Sequence, residues 1–356
     1  MKPILYCHTS RVGGAEIASP ALAEHIGAEI WSRGGGPTVD RAAELGVPVT
    51  VLPVAADSRP KSLVARLATA TSLLTSQVDV LRQIRRSRPP LLISNTVQGL
   101  LHVAVPALVT RTPLVVYVRD LGRGGNRPPL EVWVYESLMR LWSSGVIFNS
   151  ETTRRSWRVS APSIVVPTAI EDRFFTASAP ARHGGIVMVG RIARWKGQAE
   201  VIRALNHLAD GGRSVELTLV GDRTFGDNVD LPPARFPLTL KGFADPLEYL
   251  THRQLLVHAS KTPEPFGQVL AQAAAAGIPI ICANRGGQTE WLKHGESCLM
   301  SDPHDTDALA AAIEQTLDDP ARSAQRADVA NAASEQFRAE KAYGPLQDWL
   351  KKVANL

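Results

Sequence analysis

Short apolar runs alternate with helix-forming stretches along most of the chain, and this alternation restricts the fold more than any other feature. The strand-like runs of the first half lie at Pro3–Cys7, Gly27–Trp31, Val47–Val54, Leu91–Asn95, Leu114–Val118 and Gly145–Phe148. Runs that are apolar on both faces and separated by helices are typical of a parallel sheet covered on both sides. We therefore predict an α/β fold built on a doubly wound parallel sheet.

The second half repeats this pattern. Its strand-like runs lie at Ile186–Gly190, Val215–Asp222, Leu238–Phe243 and Leu255–Ser260. A chain of 356 residues is also long for one domain, since typical domains have about 100–200 residues. We predict two Rossmann-like domains, 1–175 and 176–335, with the small and polar stretch Thr176–Gly185 as the linker.

The composition is that of an ordinary soluble globular protein, with 44% hydrophobic and 21% charged residues. A net charge of +5 favours anionic partners, but the basic residues are scattered and aromatics are only 6%, which disfavours nucleic acid. Cys7, Cys282 and Cys298 show no metal-like spacing and suit a reducing compartment. No apolar run has the length of a signal peptide or a membrane span, so we expect a cytoplasmic protein.

The loop after the strand-like run Ile186–Gly190 carries two cations. Gly190-Arg191 is followed by Trp195-Lys196-Gly197, and a helix is predicted to start near Gln198. Arginine offers a bidentate fork and lysine a point charge, so this pair at a strand end and helix start suits a diphosphate. Solvated surface cations would be the alternative.

A second motif runs from Pro263 to Ile280 as loop, helix, turn and strand. Glu264-Pro265-Phe266-Gly267 leads into the Ala- and Leu-rich run Gln268–Ala276, which is strongly helix-forming and which Gly277 closes. A helix that opens on a glycine presents unpaired N–H groups and partial positive charge to a phosphate. Glu264 would then face whatever the phosphate carries. An Ala-rich helix closed by glycine also occurs in doubly wound proteins that lack such a site.

Together these motifs resemble the nucleotide-sugar site of retaining glycosyltransferases with the GT-B fold, in the large bacterial mannosyl- and glucosyltransferase family (family 4 type). The resemblance rests on Gly190-Arg191-x-x-x-x-Lys196-Gly197, Glu264-Pro265-Phe266-Gly267 and Gly286-Gly287-x-x-Glu290. It is strong from Gly190 to Glu290 and weak before Gly145. It implies two Rossmann-like domains that face a central cleft, with a segment at about 336–356 crossing back onto the amino-terminal, acceptor-binding domain.

The resemblance also implies roles for the matching residues. Arg191 and Lys196 would neutralise the leaving nucleoside diphosphate, and Glu264 would hold sugar hydroxyls or the oxocarbenium face near the anomeric carbon. The remaining implied donor-binding positions are Gly13, Gly14, Gly190, Gly242, Phe243, Pro265, Phe266, Gly267, Gln268, Val269 and Gln272. The donor would be a UDP- or GDP-linked sugar, and no metal or other cofactor would be required because two cations already serve the diphosphate.

Two positions depart from the family pattern. Many members have His-Asp where this chain has Arg119-Asp120, so Arg119 would hold an anionic acceptor or the diphosphate instead of handling a proton. We keep both residues as candidate catalytic residues, with a plain salt bridge between them as the alternative. The second Glu of the family is Gln272 here, and the lost charge-assisted bond to the ribose would weaken binding by ~1–2 kcal/mol.

The main hypothesis is a retaining glycosyltransferase that moves a hexosyl group to a glycan, glycolipid or natural product, as in polysaccharide biosynthesis. A GT-B sugar-nucleotide epimerase would share the fold without needing an acceptor. A non-catalytic homologue that binds nucleotide sugars is the third possibility, suggested by Gln272 and Arg119.

Four further predictions concern the architecture. Ligands bind beyond the carboxyl ends of parallel strands, which in the first half are followed by His8–Gly14, Asn95-Thr96, Arg119-Asp120 and Asn149–Glu151. Lys61–Arg88 is predicted as a long helix with a basic end, which either covers the sheet or makes a peripheral contact with anionic lipid.

His258 is predicted to be a buried histidine with its hydrogen bonds satisfied. The predicted amphipathic helices near the carboxyl end are Asp305–Leu317 and Ala333–Leu350.

Overall fold

The computed structural model describes residues 2–9, 13–54, 63–177, 184–223 and 229–355. The strands are β1 (Ile4–Cys7), β2 (Glu29–Arg33), β3 (Val49–Leu52), β4 (Leu92–Ser94), β5 (Leu114–Val118), β6 (Gly145–Phe148), β7 (Ser163–Val165), β8 (Ile186–Val189), β9 (Leu217–Val220), β10 (Leu238–Leu240), β11 (Leu255–His258), β12 (Ile280–Cys282) and β13 (Leu299–Met300). The α-helices are α1 (Gly14–Ile26), α2 (Pro37–Glu44), α3 (Leu63–Ser87), α4 (Val97–Thr110), α5 (Pro129–Trp142), α6 (Glu151–Arg155), α7 (Asp172–Thr176), α8 (Gln198–Asp210), α9 (Pro246–Leu250), α10 (Gln268–Ala275), α11 (Thr306–Asp318), α12 (Pro320–Ser334), α13 (Ala339–Tyr343) and α14 (Leu346–Ala354).

The chain forms two compact units, one of residues 1–169 and 339–356 and one of residues 170–338. The first holds a seven-stranded sheet in the order β3-β2-β1-β4-β5-β6-β7, and the second a six-stranded sheet in the order β10-β9-β8-β11-β12-β13. Every strand pair is parallel. In both sheets the order reverses beside the first strand of the unit, which is the doubly wound topology predicted from the alternation.

Helices cover both faces of the first sheet. The core on one face is formed with side chains of α3, α4 and α5, and the core on the other face with side chains of α1, α2, α13 and α14. Because α13 and α14 fill the second of these cores, the last part of the chain completes the first unit. The second sheet likewise has a core on each face.

Several predicted bounds were wrong. The chain from Ala333 to Leu350 is not one helix, because α12 ends at Ser334 and a 3-10 turn at Glu335–Phe337 separates it from α13. The segment Gly27–Trp31 is not all strand, since Gly27 ends α1 with a φ of 65°. Most of the predicted linker Thr176–Gly185 and the first two residues of Lys61–Arg88 lie outside the described residues.

The three cysteines are buried and unbonded, and the sulfurs of Cys282 and Cys298 lie 4.0 Å apart. The sequence separation of these two cysteines gave no sign of this proximity. Among the described residues, no helix is long and apolar enough to cross a membrane.

Candidate active site

Three loops at the carboxyl edge of the second sheet are tied together by backbone hydrogen bonds. These loops follow β8, β11 and β12. The Lys261 N–H donates to the Trp195 carbonyl at 2.7 Å, and the Gly287 N–H donates to the Glu264 carbonyl at 2.8 Å. The two predicted motifs therefore meet at one edge, as the rule for parallel sheets requires.

Glycines allow these loops to approach closely. Gly286 has a φ of 99°, and a Cβ there would lie 2.5 Å from the backbone nitrogen and oxygen of Glu264. A Cβ at Gly287 would lie 2.2 Å from the Pro265 carbonyl oxygen, and one at Gly197 would lie 1.9 Å from the Ala259 carbonyl oxygen. Larger residues at these positions would push the loops apart. The Gly-Gly pair thus fixes the backbone beside Glu264.

Glu264 is 8% exposed, and three donors surround one of its oxygens. Its Oε1 accepts from the Lys196 ammonium at 2.6 Å and from the Ser260 hydroxyl at 2.6 Å, and it lies 3.3 Å from His258 Nε2. All three contacts fall on Oε1, so the carboxylate is oriented and Oε2 receives none of these donors. An oxygen held free in this way is suited to a ligand hydroxyl.

Electrostatics keep Glu264 ionised. Burial by itself would raise the pKa of this carboxyl. The charge of Lys196 and the hydrogen bonds from His258 and Lys196 outweigh burial and hold the pKa of Glu264 well below its usual range. The site therefore presents an ionised Glu264 carboxylate next to the Lys196 side chain at neutral pH.

Arg191 and Lys196 share one aromatic neighbour. The Lys196 ammonium lies 4.4 Å and the Arg191 guanidinium carbon 5.9 Å from the centre of the Trp195 ring. Gly190 has a φ of 142°, in the region that favours glycine, and a Cβ there would make only ordinary contact with Lys196, 3.8 Å from its Cε. The structure thus brings the two predicted cations to the same indole at the end of β8.

Helix α10 begins as predicted, with Gly267 at the N-cap in a left-handed conformation (φ 85°). Because the N-cap is a glycine, no side chain at that position covers the first-turn N–H groups, and the first turn holds no acidic residue. The Phe266 ring is buried against Phe337, with ring centres 5.0 Å apart. Phe266 therefore anchors the helix in the core, while Gln268 and Val269 are half-buried on its first turn.

Gly242 and Phe243 follow β10, next to the end of β9. Gly221 donates its N–H to the Gly242 carbonyl at 2.6 Å, and the Asp222 carboxylate accepts from the Phe243 N–H at 2.9 Å. The Phe243 ring is 58% exposed. An exposed ring on a fixed backbone at this edge offers a flat surface for stacking.

The carboxyl edge of the first sheet holds Arg119 and Asp120, but not as a pair. The buried Arg119 guanidinium donates to Asn95 Oδ1 at 3.2 Å and stacks 3.9 Å from the Tyr117 ring centre. Asp120 instead accepts from Arg127 at 2.8 Å. The alternative of a plain Arg119–Asp120 salt bridge was therefore wrong, and Arg119 keeps a buried Nε for which no hydrogen-bond partner exists among the described residues.

Gly13 and Gly14 lie at the start of α1, where Gly13 is the N-cap. A Cβ at Gly13 would lie 2.6 Å from Glu16 Oε2, so the Glu16 carboxyl lies close to the amino end of the helix. Glu16 is 7% exposed, and burial raises its pKa to about 7, more than the charge of Arg119 lowers it. This helix start is thus already covered by a side chain of its own first turn.

The sequence analysis did not identify Ser260 as a site residue, and it wrongly predicted that the hydrogen bonds of His258 are satisfied. His258 is buried as predicted, but its Nδ1 has no hydrogen-bond partner among the described residues. Both residues lie at the carboxyl end of β11, so the strand-end rule would have identified them once Glu264 was singled out. Within the described parts of the chain, no group of three or more His, Cys, Asp or Glu side chains is arranged to hold a metal ion.

The second unit is similar in sequence to a known family of proteins. Residues 174–336, a little under half of the chain, match the sequence profile of the family Glycosyl transferases group 1. The glycogen synthase of Mycobacterium tuberculosis H37Rv is 30% identical over 210 residues, which are 56% of this chain and 51% of that protein. The 2-deoxystreptamine N-acetyl-D-glucosaminyltransferase of Niallia circulans is 30% identical over 132 residues, 35% of this chain and 34% of that one. The matches thus span about half or less of these curated relatives.

The crystal structure of Anabaena Alr3699/HepE in complex with UDP-glucose superimposes with a TM-score of 0.81 at 23% identity, over 99% of this chain and 100% of that one. At this identity the likeness establishes the fold alone. The chain has the α/β fold of GT-B glycosyltransferases, with two Rossmann-like units.

Proposed function

We propose that this chain is a retaining glycosyltransferase of the family 4 type, which moves a hexosyl group from a nucleoside diphosphate sugar to an acceptor. The observation that carries the proposal is the contact between Lys196 and Glu264 at the carboxyl edge of the second sheet, 2.6 Å long. It brings a cation for the leaving group and a carboxylate for the sugar together. The match of residues 174–336 to the glycosyltransferase profile supports the same reading.

In the proposed reaction, the bond between the anomeric carbon and the diphosphate oxygen breaks, a bond to an acceptor oxygen forms, and the acceptor hydroxyl gives its proton to the departing diphosphate. Negative charge develops on the departing diphosphate. Lys196 uses one of its three N–H groups on Glu264, which leaves the others for phosphate oxygens. Arg191 and the open first turn of α10 would add to this stabilisation, which is the largest contribution that such a site can make.

Glu264 Oε2 would accept hydroxyls of the transferred sugar and face the positive charge that develops at the anomeric carbon. Gly242 and Phe243 would bracket the base, and Gln272 would meet the ribose. The similar Anabaena protein was solved with UDP-glucose, which supports UDP sugars as the first donors to test. No step of this scheme calls for a metal.

The test is a thermal-shift panel of UDP, GDP, ADP and dTDP sugars, followed by turnover with the stabilising donor and NMR of the product anomer. Stabilisation by one donor class, with transfer or slow hydrolysis that retains the anomeric configuration, is the expected result. Glu264→Gln should abolish turnover, whereas Glu200→Gln, which removes the partner of Lys261 at 2.9 Å on the same edge, should not. An inverted product would refute retention, and an isomerised donor would show an epimerase.

A non-catalytic binder of nucleotide sugars is the second candidate. One observation favours it: the position of the second family carboxylate is the buried amide Gln272. Stabilisation by a nucleotide sugar, without transfer or hydrolysis in any condition, would select it over the enzyme.

A further inference from the structure

Exposed apolar side chains are concentrated on three helices of the first unit. Of the fourteen exposed large hydrophobic residues among those described, eight lie on α3, α4 and α5. They are Leu74, Val78, Val105, Leu108, Val109, Leu130, Trp133 and Leu141, and we call this surface the α3–α5 face. A patch of this kind on an otherwise ordinary surface indicates an interaction site.

The eight side chains lie on one outward layer. Helices α3, α4 and α5 pack side by side, and their inward residues, such as Ile84, Val103 and Met139, enter the same core against the first sheet. On α5, Leu130, Trp133 and Leu141 recur at helical spacing and form one stripe, with Trp133 58% exposed. The outer side of the layer is therefore apolar where a solvated helix would be polar.

Arginines border this face along one edge of the sheet. Each of the three helices precedes a parallel strand, so their carboxyl ends lie together where β4, β5 and β6 begin. The exposed arginines at these ends are Arg85, Arg86, Arg88, Arg111 and Arg140. Helix α4 has no acidic residue, and the half-buried Asp79 of α3 already faces Arg33 and Arg82.

Two of these arginines occupy backbone positions that favour glycine. Arg88 has a φ of 47° and Arg111 a φ of 56°, both in the left-handed region. At the end of a helix, glycine takes this conformation without the steric cost that a Cβ brings. Arginine at both positions, on the same edge, indicates that the positive charge is used.

We propose that the α3–α5 face docks on an anionic lipid surface, with Trp133 and the leucines at the acyl boundary and the arginine row on lipid phosphates. Apolar side chains beside a row of cations fit the interface of an acidic bilayer. The arginine row lies at the amino ends of the strands of the first sheet, whereas Leu130 and Trp133, on the first turns of α5, lie toward the carboxyl ends. This proposal does not depend on the transferase reaction.

The experiment is co-sedimentation of the full chain with phosphatidylcholine vesicles, with and without phosphatidylglycerol, over a range of salt. We expect binding only to the acidic vesicles, with affinity that falls as salt rises. Arg85→Gln, Arg86→Gln and Arg111→Gln should each weaken binding about fivefold. Trp133→Ser with Leu141→Ser should weaken it at least about tenfold. The matched controls are Val329→Ser and Arg322→Gln on α12 of the second unit, both exposed, and these should bind like the unmodified chain.

Three outcomes would overturn the proposal. The first is equal binding to neutral and acidic vesicles, and the second is equal loss in the α12 controls. The third is that the chain does not bind vesicles but forms a dimer in sedimentation velocity, and that the Trp133→Ser and Leu141→Ser changes dissociate this dimer. That result would identify a second copy of the chain as the occupant of the α3–α5 face. Circular dichroism of each variant checks that loss of binding is not loss of folding.

Discussion

The two sheets share one topology, but their carboxyl edges handle charge in opposite ways. On the second sheet, Glu264 is buried beside Lys196, and the pairing holds its pKa well below the usual range. On the first sheet, burial lowers the pKa of His8 to about 4 and raises that of Glu16 to about 7. Glu264 on the second sheet is kept charged by its pairing with Lys196, whereas burial suppresses the charges of His8 and Glu16 on the first sheet.

A similar contrast separates two helix starts that carry implied donor-binding glycines. Both α1 and α10 have a glycine N-cap, at Gly13 and Gly267. Glu16 covers the amino end of α1, whereas the first turn of α10 holds no acidic residue. A glycine N-cap allows an anion to approach the helix start, but an acidic side chain in the first turn, such as Glu16 in α1, opposes it.

The largest expected effect comes from removing the Lys196 cation, which pairs with Glu264 at the carboxyl edge of the second sheet. In Lys196→Met, the buried Glu264 carboxylate loses its partner, a change that costs about 3–5 kcal/mol for a buried pair. Its pKa then rises, because burial is no longer opposed by the lysine charge. We expect turnover to fall by about a thousandfold or more, and the residual activity to be lost at acidic pH. Turnover measured from pH 5 to 9 checks this.

Lys261→Met is the control for that experiment. Lys261 also pairs with a carboxylate at this edge, Glu200, but at 2.9 Å and with 26% of its side chain exposed. Its loss should leave turnover within about threefold, because this half-buried pair makes no contact with Glu264. Comparable losses in both variants would mean that the Lys196–Glu264 pair has no special role.

The alternation of apolar runs was enough to predict two doubly wound sheets, because buried parallel strands leave a strong local signal. The resemblance of the two motifs to a nucleotide-sugar site, and not the alternation, implied that Lys196 and Glu264 share one site, and the structure places them 2.6 Å apart. The position of the Glu16 carboxyl beside Gly13 was not predicted, since Gly13-Gly14 looks the same in sequence whether or not a side chain lies next to it. Nor was the pairing of Asp120 with Arg127, because a salt bridge between loop residues depends on rotamers that no periodicity records.

The next largest effect concerns the buried Glu16 carboxyl at the carboxyl edge of the first sheet. Burial raises the pKa of Glu16 from 4.5 in the unfolded chain to about 7 in the folded one. The folded state therefore holds this proton more tightly, so stability is fully present below pH 4.5 and is lost as the pH rises to about 7. Each pKa unit corresponds to 1.36 kcal/mol, so the loss is about 3 kcal/mol. Glu16→Gln, which stays neutral, should remove this dependence.

Thermal unfolding at pH 5 and pH 8 measures the effect. The difference in Tm between Glu16→Gln and the unmodified chain should grow in favour of the variant from pH 5 to pH 8. Glu24→Gln, an exposed change on the same helix, is the control and should show no such trend. A variant that is less stable at pH 8 would mean that ionised Glu16 is stabilised in the folded state, and the contrast between the edges would fail.

A smaller effect concerns the donors that orient Glu264. Ser260→Ala removes a hydrogen bond of 2.6 Å to Oε1, and a bond to a charged group contributes about 1.5–3 kcal/mol. We expect kcat to fall by about tenfold or more, with donor KM nearly unchanged, because Lys196 still holds the carboxylate. Ser301→Ala is the control, since this buried hydroxyl has no hydrogen-bond partner among the described residues. A rise in KM alone would assign Ser260 to donor binding instead.

The smallest effect tests whether Gln272 meets the ribose. Gln272→Glu restores two acceptor oxygens for the two ribose hydroxyls, so UDP should bind up to about tenfold more tightly, or about 1.4 kcal/mol. At a position that is 8% exposed, burial raises the pKa of a new carboxyl, so the gain should increase with pH. Calorimetry with UDP and with 2′,3′-dideoxy-UDP distinguishes binding through the ribose hydroxyls from an effect of the new charge elsewhere. Only UDP has ribose hydroxyls that can donate hydrogen bonds to the new carboxylate. An equal gain with both would place the new charge elsewhere than at the ribose, and no gain with either would remove Gln272 from the donor site.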